Sequence, residues 1–206
     1  MHDPTKGDGE GIPLIQQFAR AYMDLGYFPF ALPVDAKNPP RERYTGRRAH
    51  RPTDAEILAD IAQIPMRANL GISVPVGVVL LDVDTYAAKT GGTKLCELEA
   101  ELGALPKTWH STRRGPQASD GPTRSAIYAY QLPAHAIPDS EDPPSIADIG
   151  GCIEVVHYGN RYLVVAPSVV DGMAYQWFDP NGSPCTLPGY VDELPVLTNA
   201  WTEHLL

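Results

Sequence analysis

The segment GVVLLDVDTY at residues 77–86 drives an aliphatic run straight into two carboxylates, Asp82 and Asp84, one residue apart. In a strand, residues i and i+2 share a face about 7 Å apart, which sets the two acids side by side and sends Val83 into the core. Adjacent carboxylates repel unless a cation lies between them. A hard divalent ion such as Mg²⁺ or Mn²⁺ takes oxygen ligands and suits the pair. The same spacing also occurs at polar strand ends, so the motif alone leaves both readings open. Glu154 adds a third acid, set between Ile153 and Val155 in GCIEVVHYGNRY. A carboxylate among aliphatic neighbours needs a partner, because unpaired burial is costly. That partner is either an arginine or an ion shared with Asp82 and Asp84. Arg113, Arg114 and Arg161 can supply the charge, and their forked guanidinium groups equally suit a triphosphate.

The elements that must carry these residues follow from periodicity and punctuation. PLIQQFARAYMDLG at 13–26 predicts a first helix, with Pro13 at its first position and Gly26 at its stop. Thr53 followed by Glu56 is a capping-box pattern and opens a second helix over 53–64. Residues 69–74 and 76–84 read as a strand pair around Pro75, and a third helix runs from 93 to Gly103. Strands are expected near 108–113, 124–131, 151–158, 161–166 and 173–178. HYGNRY makes a hairpin turn in which Gly159 and Asn160 tolerate positive φ. Residues 134–151 form a long acidic, proline-rich loop, and the tail from 191 onward reads as helix. The expected organisation is a polar arm over 1–12 and one α+β domain over 13–206, able to divide into two lobes.

Composition narrows the function classes. The 206 residues are 43% hydrophobic and 20% charged, an ordinary globular balance, and the formal net charge of −9 argues against nonspecific coating of nucleic acid or anionic membrane. No apolar run is long enough to span a bilayer, and the opening MHDPTKGDGEG has no apolar core for a secretory signal. Cys96, Cys152 and Cys185 lack metal-knuckle spacing and read as free thiols in a reducing cytoplasm. One local exception to the acidic balance stands out. Lys37, Arg41, Arg43, Arg47, Arg48 and Arg51 face the single acid Glu42, a stretch that is either a solvated loop or a track for a phosphate backbone. In the second case Tyr44 or His50 would stack on a base. His157 reads as a surface residue beside a turn, whereas Trp109, Tyr128, Tyr130 and Trp177 read as core.

The order AYMDLGYFPFALPVDAKNPP, HRPTDAEI, RANLGISVPVGVVLLDVD, PKTWHSTRRG and IEVVHYGNRYLVVAPSVVDGMAYQW resembles the bifunctional DNA primase/polymerase domain. That domain is a branch of the archaeo-eukaryotic primase superfamily found in replication proteins of plasmids and phages, including those of actinobacteria. The resemblance implies an α+β primase-like fold with a central, mostly antiparallel sheet flanked by helices. It gives the catalytic and metal-binding roles to Asp82, Asp84 and Glu154. Nucleotide-binding roles fall on Lys37, Ser111, Arg113, Arg114, Ser125 and Arg161, with Thr112, Tyr162, Pro167 and Ser168 matching neighbouring family positions. One departure stands in the middle motif. Where the superfamily carries Ser-x-His, with the histidine on the nucleotide phosphates, this chain reads Ser125-Ala126-Ile127. The arginines are the preferred replacements because they stay charged at any working pH, with His110 and His157 as further candidates.

The reaction implied is templated nucleotidyl transfer, as primase, DNA polymerase or both. Two Mg²⁺ or Mn²⁺ ions about 3.5–4 Å apart would be held by the three acids. The partners implied are nucleoside triphosphates, a single-stranded DNA template and primer, and a helicase domain in a longer protein, with Arg41, Arg43, Arg47 and Arg48 on the DNA. Two rivals remain. A metal-dependent nuclease can use the same acids with water as nucleophile. A weakly active or inactive primase-like domain would bind DNA without chemistry, a reading that the absent histidine keeps open.

Overall fold

The computed structural model describes residues 12–40, 44, 52–115, 121–137 and 149–206. Arg41, Arg43, Arg47, Arg48 and His50 lie outside the described residues, as do most of the expected N-terminal arm and much of the acidic loop. Helix α1 (Leu14–Asp24) buries Ile15, Phe18, Ala19 and Tyr22 along one stripe, and Pro13 serves as its cap. Strand β1 (Phe28–Leu32) follows. Helix α2 (Asp54–Ile61) opens with the expected reciprocal cap: the Glu56 N–H donates to Thr53 Oγ1 at 3.3 Å and the Thr53 N–H to Glu56 Oε2 at 2.8 Å. Next come β2 (Asn69–Ser73), β3 (Val78–Val83) and helix α3 (Gly91–Leu102). The remaining strands are β4 (His110–Thr112), β5 (Ile127–Gln131), β6 (Ile153–His157), β7 (Leu163–Val165), β8 (Val169–Val170), β9 (Met173–Ala174), β10 (Gln176–Phe178) and β11 (Pro184–Cys185). Helix α4 (Asn199–Leu205) ends the chain.

The strands form a three-stranded sheet, β1-β2-β7, a six-stranded sheet, β11-β10-β4-β5-β3-β6, and the ribbon β8-β9, with every named pair antiparallel. The fold is the α+β class expected. Two pairings differ from expectation. β2 and β3 part at Pro75 and Gly77 (φ +88) and enter different sheets. Both strands are buried on both faces, so each takes two neighbours, and apolar runs do not encode which. β6 and β7 likewise part after a single bridge, His157 to Asn160, because positive φ falls at Gly159 and at Arg161 rather than at Asn160. The tail is helical only in α4. Residues 195–197 instead run extended beside β5, with the Leu197 N–H donating to Gln131 O at 2.8 Å.

Alternation along the six-stranded sheet divides the core. Val78, Leu80, Ala129, Val156 and Trp177 face a cluster shared with α1, α2 and the three-stranded sheet. Val79, Leu81, Val83, Tyr128 and Tyr130 face the other way, onto α3 and α4. A polar chain pins the first cluster: Trp177 Nε1 donates to the Tyr22 hydroxyl at 2.9 Å, which donates to Ala166 O at 2.9 Å. Among the described residues no helix is long and apolar enough to cross a membrane.

Candidate active site

Register assembles the site. Asp82 on β3 pairs with Glu154 on β6 and with Ile127 on β5, and Ile127 pairs with Ser111 on β4. Directly opposed residues in an antiparallel sheet share a face, so Ser111, Ile127, Asp82 and Glu154 form one row. The row lies on the face that carries Val78 and Leu80, where the sheet opens beyond its packed end. Asp84 continues that face one step past the strand. Its N–H is tied to Cys152 O at 3.1 Å, and Val83 between the two acids is buried in the opposite core with its N–H on Ala126 O at 3.0 Å. Gly91, at the start of α3, closes the loop behind the acids by donating to Asp84 O at 2.9 Å. A Cβ at Gly91 would stand 2.6 Å from that oxygen and 2.9 Å from Cys152 O, so the close approach requires glycine.

The three acids sense one another. Partial burial pushes the Asp82 carboxyl up to about 7, and the charges of Asp84 and Glu154 push in the same direction, while Lys37 and Lys89 oppose them. The two outer acids are each held by a cation. Asp84 pairs with Lys89, and Glu154 accepts from Arg161 Nη1 at 2.7 Å across the turn. Lys89 also donates to the Tyr86 hydroxyl at 3.0 Å, and the hydrogen bond to Asp84 holds its ammonium above the ordinary lysine range. Tyr86 is flanked by a second cation, with Arg114 Cζ 3.8 Å from its ring centroid. Among the described residues no group of three acid, histidine or cysteine side chains is gathered closely enough to hold a metal ion. The donor set still fits one in its chemistry: Asp82 and Glu154 in the row, with Asp84 one step along the same face, offer the hard oxygen ligands that Mg²⁺ or Mn²⁺ requires.

Two clefts meet at this row and share Lys37, Asp82, Asp84, Tyr86, Ile127 and Tyr175. The first continues over Ser111, Thr112, Arg113, Arg114 and Ser125; the second continues past Asn38, Glu154, Arg161, Tyr162 and Val164. The described residues expected in the catalytic, metal-binding and nucleotide-binding roles therefore all line one cleft or both, whereas Pro167 and Ser168 line neither. Their partners differ. Arg113 Nη1 is engaged with Asp171 at 2.9 Å and Val170 O at 3.1 Å. Ser125 Oγ accepts from the Thr85 N–H at 3.2 Å and so braces the loop after the acids. Ser111 Oγ is buried with no hydrogen-bond partner. Lys37 is placed by Tyr162, whose hydroxyl reaches Lys37 O and Asn38 Oδ1 and whose ring packs edge-on against Phe30 at 5.4 Å. Ile127 occupies the position of the expected histidine, and it stands next to Asp82 in the row.

Three expectations are corrected. Tyr44 is buried against Phe30, ring centroids 4.9 Å apart, and bonds Asp60 at 2.8 Å, so it is no base platform. His157 is buried, not a surface residue, and burial lowers its pKa. His110 is stacked between Tyr128 and Phe178 at 5.5 and 5.3 Å, and burial lowers its pKa too. Neither histidine offers a phosphate a standing positive charge. Sequence reasoning missed Lys89, Tyr86, Asp171 and Tyr175. Only Lys89 left a signal, as a lone cation five residues beyond Asp84 and just before Gly91-Gly92.

The family model described as bifunctional DNA primase/polymerase, N-terminal, matches residues 19–190. No curated protein matches the chain.

Proposed function

The chain belongs to the bifunctional DNA primase/polymerase family, and on that premise we propose that it is a DNA-templated nucleotidyltransferase making or extending primers on single-stranded DNA. The observation that carries this reading is the row of acids opening onto a cleft lined with basic side chains. Asp82, Asp84 and Glu154 would hold the divalent ions. Bound there, such an ion activates the attacking hydroxyl and offsets charge on the phosphates.

The chain's own residues do the rest by placement. The carboxylates act as ionised ligands and need move no proton. Arg114, over the Tyr86 ring, lines the first cleft, and its guanidinium is suited to bidentate recognition of phosphate oxygens. Lys37, whose backbone carbonyl is held by Tyr162, lines both clefts and adds a point charge near Asp82. Ser111 Oγ supplies a buried donor that a phosphate oxygen can satisfy. Ile127 and Tyr175 line both clefts and add apolar surface beside the acids. Charge fixed in advance along the triphosphate lowers the barrier to in-line attack. Arg41, Arg43, Arg47 and Arg48 are assigned to the template backbone. Replication of a phage or plasmid is the setting that suits this activity.

Incubation with labelled primed and unprimed templates, nucleoside triphosphates and Mn²⁺ or Mg²⁺ tests the reading. Template-coded elongation supports it, and product on unprimed template adds priming. Primer shortening without nucleotides would move the assignment to a nuclease. A second reading, DNA binding without chemistry, is favoured by the pairing of Asp84 and Glu154 with Lys89 and Arg161, and retention of template with no product would select it.

A further inference from the structure

Asp84 is neutralised from within its own loop. Five residues on, Lys89 returns its ammonium to the carboxylate, and the return is built into the backbone. Ala87 takes a left-handed φ of +55, the Lys89 N–H donates to Tyr86 O at 3.1 Å, and Gly91 closes the loop onto Asp84 O. Lys89 then has three contacts inside the loop: the Asp84 carboxylate, the Tyr86 hydroxyl and the Tyr86 ring, 4.6 Å from its centroid. Tyr86 also lines both clefts and carries Arg114 at its ring, so the Lys89 ammonium stands one side chain behind the cleft wall. Its side chain is 39% exposed, which leaves it room to swing.

We propose that Lys89 is a phosphate ligand held in reserve. In the empty site it stands in for a divalent ion on Asp84; when an ion takes that carboxylate, Lys89 turns about its flexible stem onto the incoming triphosphate. The exchange conserves pairing. The carboxylate passes from ammonium to metal ion, and the ammonium passes from carboxylate to phosphate oxygen. Tyr86 is the pivot, because its hydroxyl and ring retain the ammonium in either position. Metal and nucleotide binding are thereby coupled, since each removes a competitor of the other. The proposal rests on the nucleotidyltransferase reading for the identity of its ligand, but binding tests it without any reaction.

The test compares wild type with Lys89→Met and Lys89→Gln. Mn²⁺ affinity is read from the electron paramagnetic resonance signal of the free ion, with and without α,β-imido analogues of dATP and ATP. Lys94→Met serves as the charge control, because Lys94 pairs only loosely with Glu97 at 3.8 Å on α3. Without nucleotide, both Lys89 variants should bind Mn²⁺ about tenfold more tightly than wild type. With Mn²⁺ saturating, both should bind the analogue about tenfold more weakly. The strengthening of Mn²⁺ binding by nucleotide should shrink in both and stay intact in Lys94→Met. Unchanged Mn²⁺ affinity, or unchanged analogue affinity, in folded Lys89 variants overturns the exchange and leaves the nucleotidyltransferase reading standing. A wild type that binds neither Mn²⁺ nor analogue overturns both. If wild type shows the coupled binding yet elongates no primer, the exchange holds and the polymerase reading falls.

Discussion

Asp82 on β3 stands directly across from Glu154 on β6, and the same register continues the row through Ile127 to Ser111. Chain segments far apart in sequence thus bring two acids, an apolar residue and an unpartnered hydroxyl onto one face. A slip of one residue in β3–β6 pairing would send Asp82 into the core and Val83 into the cleft. The buried alternation of Leu81, Val83, Ile153 and Val155 on the opposite face resists that slip. The core and the site therefore enforce the same register.

The row is costly to the fold when no ion occupies it. The Asp82 carboxyl, ordinarily at 3.8, is raised to about 7. For an acid raised on folding, the favourable contribution is present below the unfolded value and is lost as pH climbs through the folded one. Above about pH 7 the fold carries the full penalty. Asp82→Asn removes it. In chelator at pH 8 this variant should melt a few degrees above wild type, with the gap narrowing by pH 5. Thermal unfolding at the two pH values checks this, and a variant less stable than wild type at pH 8 would contradict it.

His110 moves stability in the opposite sense. Burial lowers its pKa from the ordinary 6.5, so the unfolded chain takes up the proton first as pH falls. Stability attributable to neutral His110 is present above about pH 6.5 and is lost below it. His110→Phe keeps the stack between Tyr128 and Phe178 without titrating. The melting temperature of wild type minus that of the variant should fall as pH drops from 7.5 to 5.5, and the Asp82 contribution cancels in that difference. A difference independent of pH would show that His110 does not titrate on unfolding.

Much of this site was legible before the fold was known. The two-residue spacing of Asp82 and Asp84 dictates a shared face on any strand, and an acid flanked by Ile153 and Val155 had to look outward or find a partner. The capping box at Thr53 was equally local. Pairing was not. The apolar runs at 69–74 and 76–84 are each buried on both faces, so nothing in their pattern said that they enter different sheets. Tyr44 sits in a basic stretch yet packs inward on Phe30, and His157 lies beside a turn yet is covered by its surroundings. Lys89 left only its position as a signal: its contact with Asp84 depends on a left-handed residue and a glycine closure, neither of which has a period.

That closure gives a prediction about backbone rather than charge. Gly91→Ala forces a Cβ against the Asp84 and Cys152 carbonyls, atoms that cannot move aside as a flexible side chain would. The variant should lose about 1–3 kcal/mol in urea unfolding, with Mn²⁺ binding weakened beyond what the stability loss explains. Wild-type stability and affinity in Gly91→Ala would show that the loop has slack.

Ile127 offers a gain of function. It adjoins Asp82 in the row, and an imidazole there would face the cleft that Ser111 and Arg114 line. Ile127→His should lower the KM for nucleotide by about threefold to tenfold near neutral pH, with the benefit fading as the imidazole loses its proton. Steady-state kinetics from pH 6 to 8.5 report this. An unchanged or raised KM across that range would mean that the position does not reach the phosphates.

The central claim is that Asp82 and Glu154 work as one unit in nucleotidyl transfer. Single-nucleotide extension of a labelled primer in Mn²⁺, comparing wild type with Asp82→Ala, Glu154→Ala and the double variant, tests it most directly. The account predicts a loss on the order of a hundredfold or more in each single variant, with the double variant scarcely worse, because residues acting as a unit are not additive. Folded single variants that extend primers at the wild-type rate would contradict it.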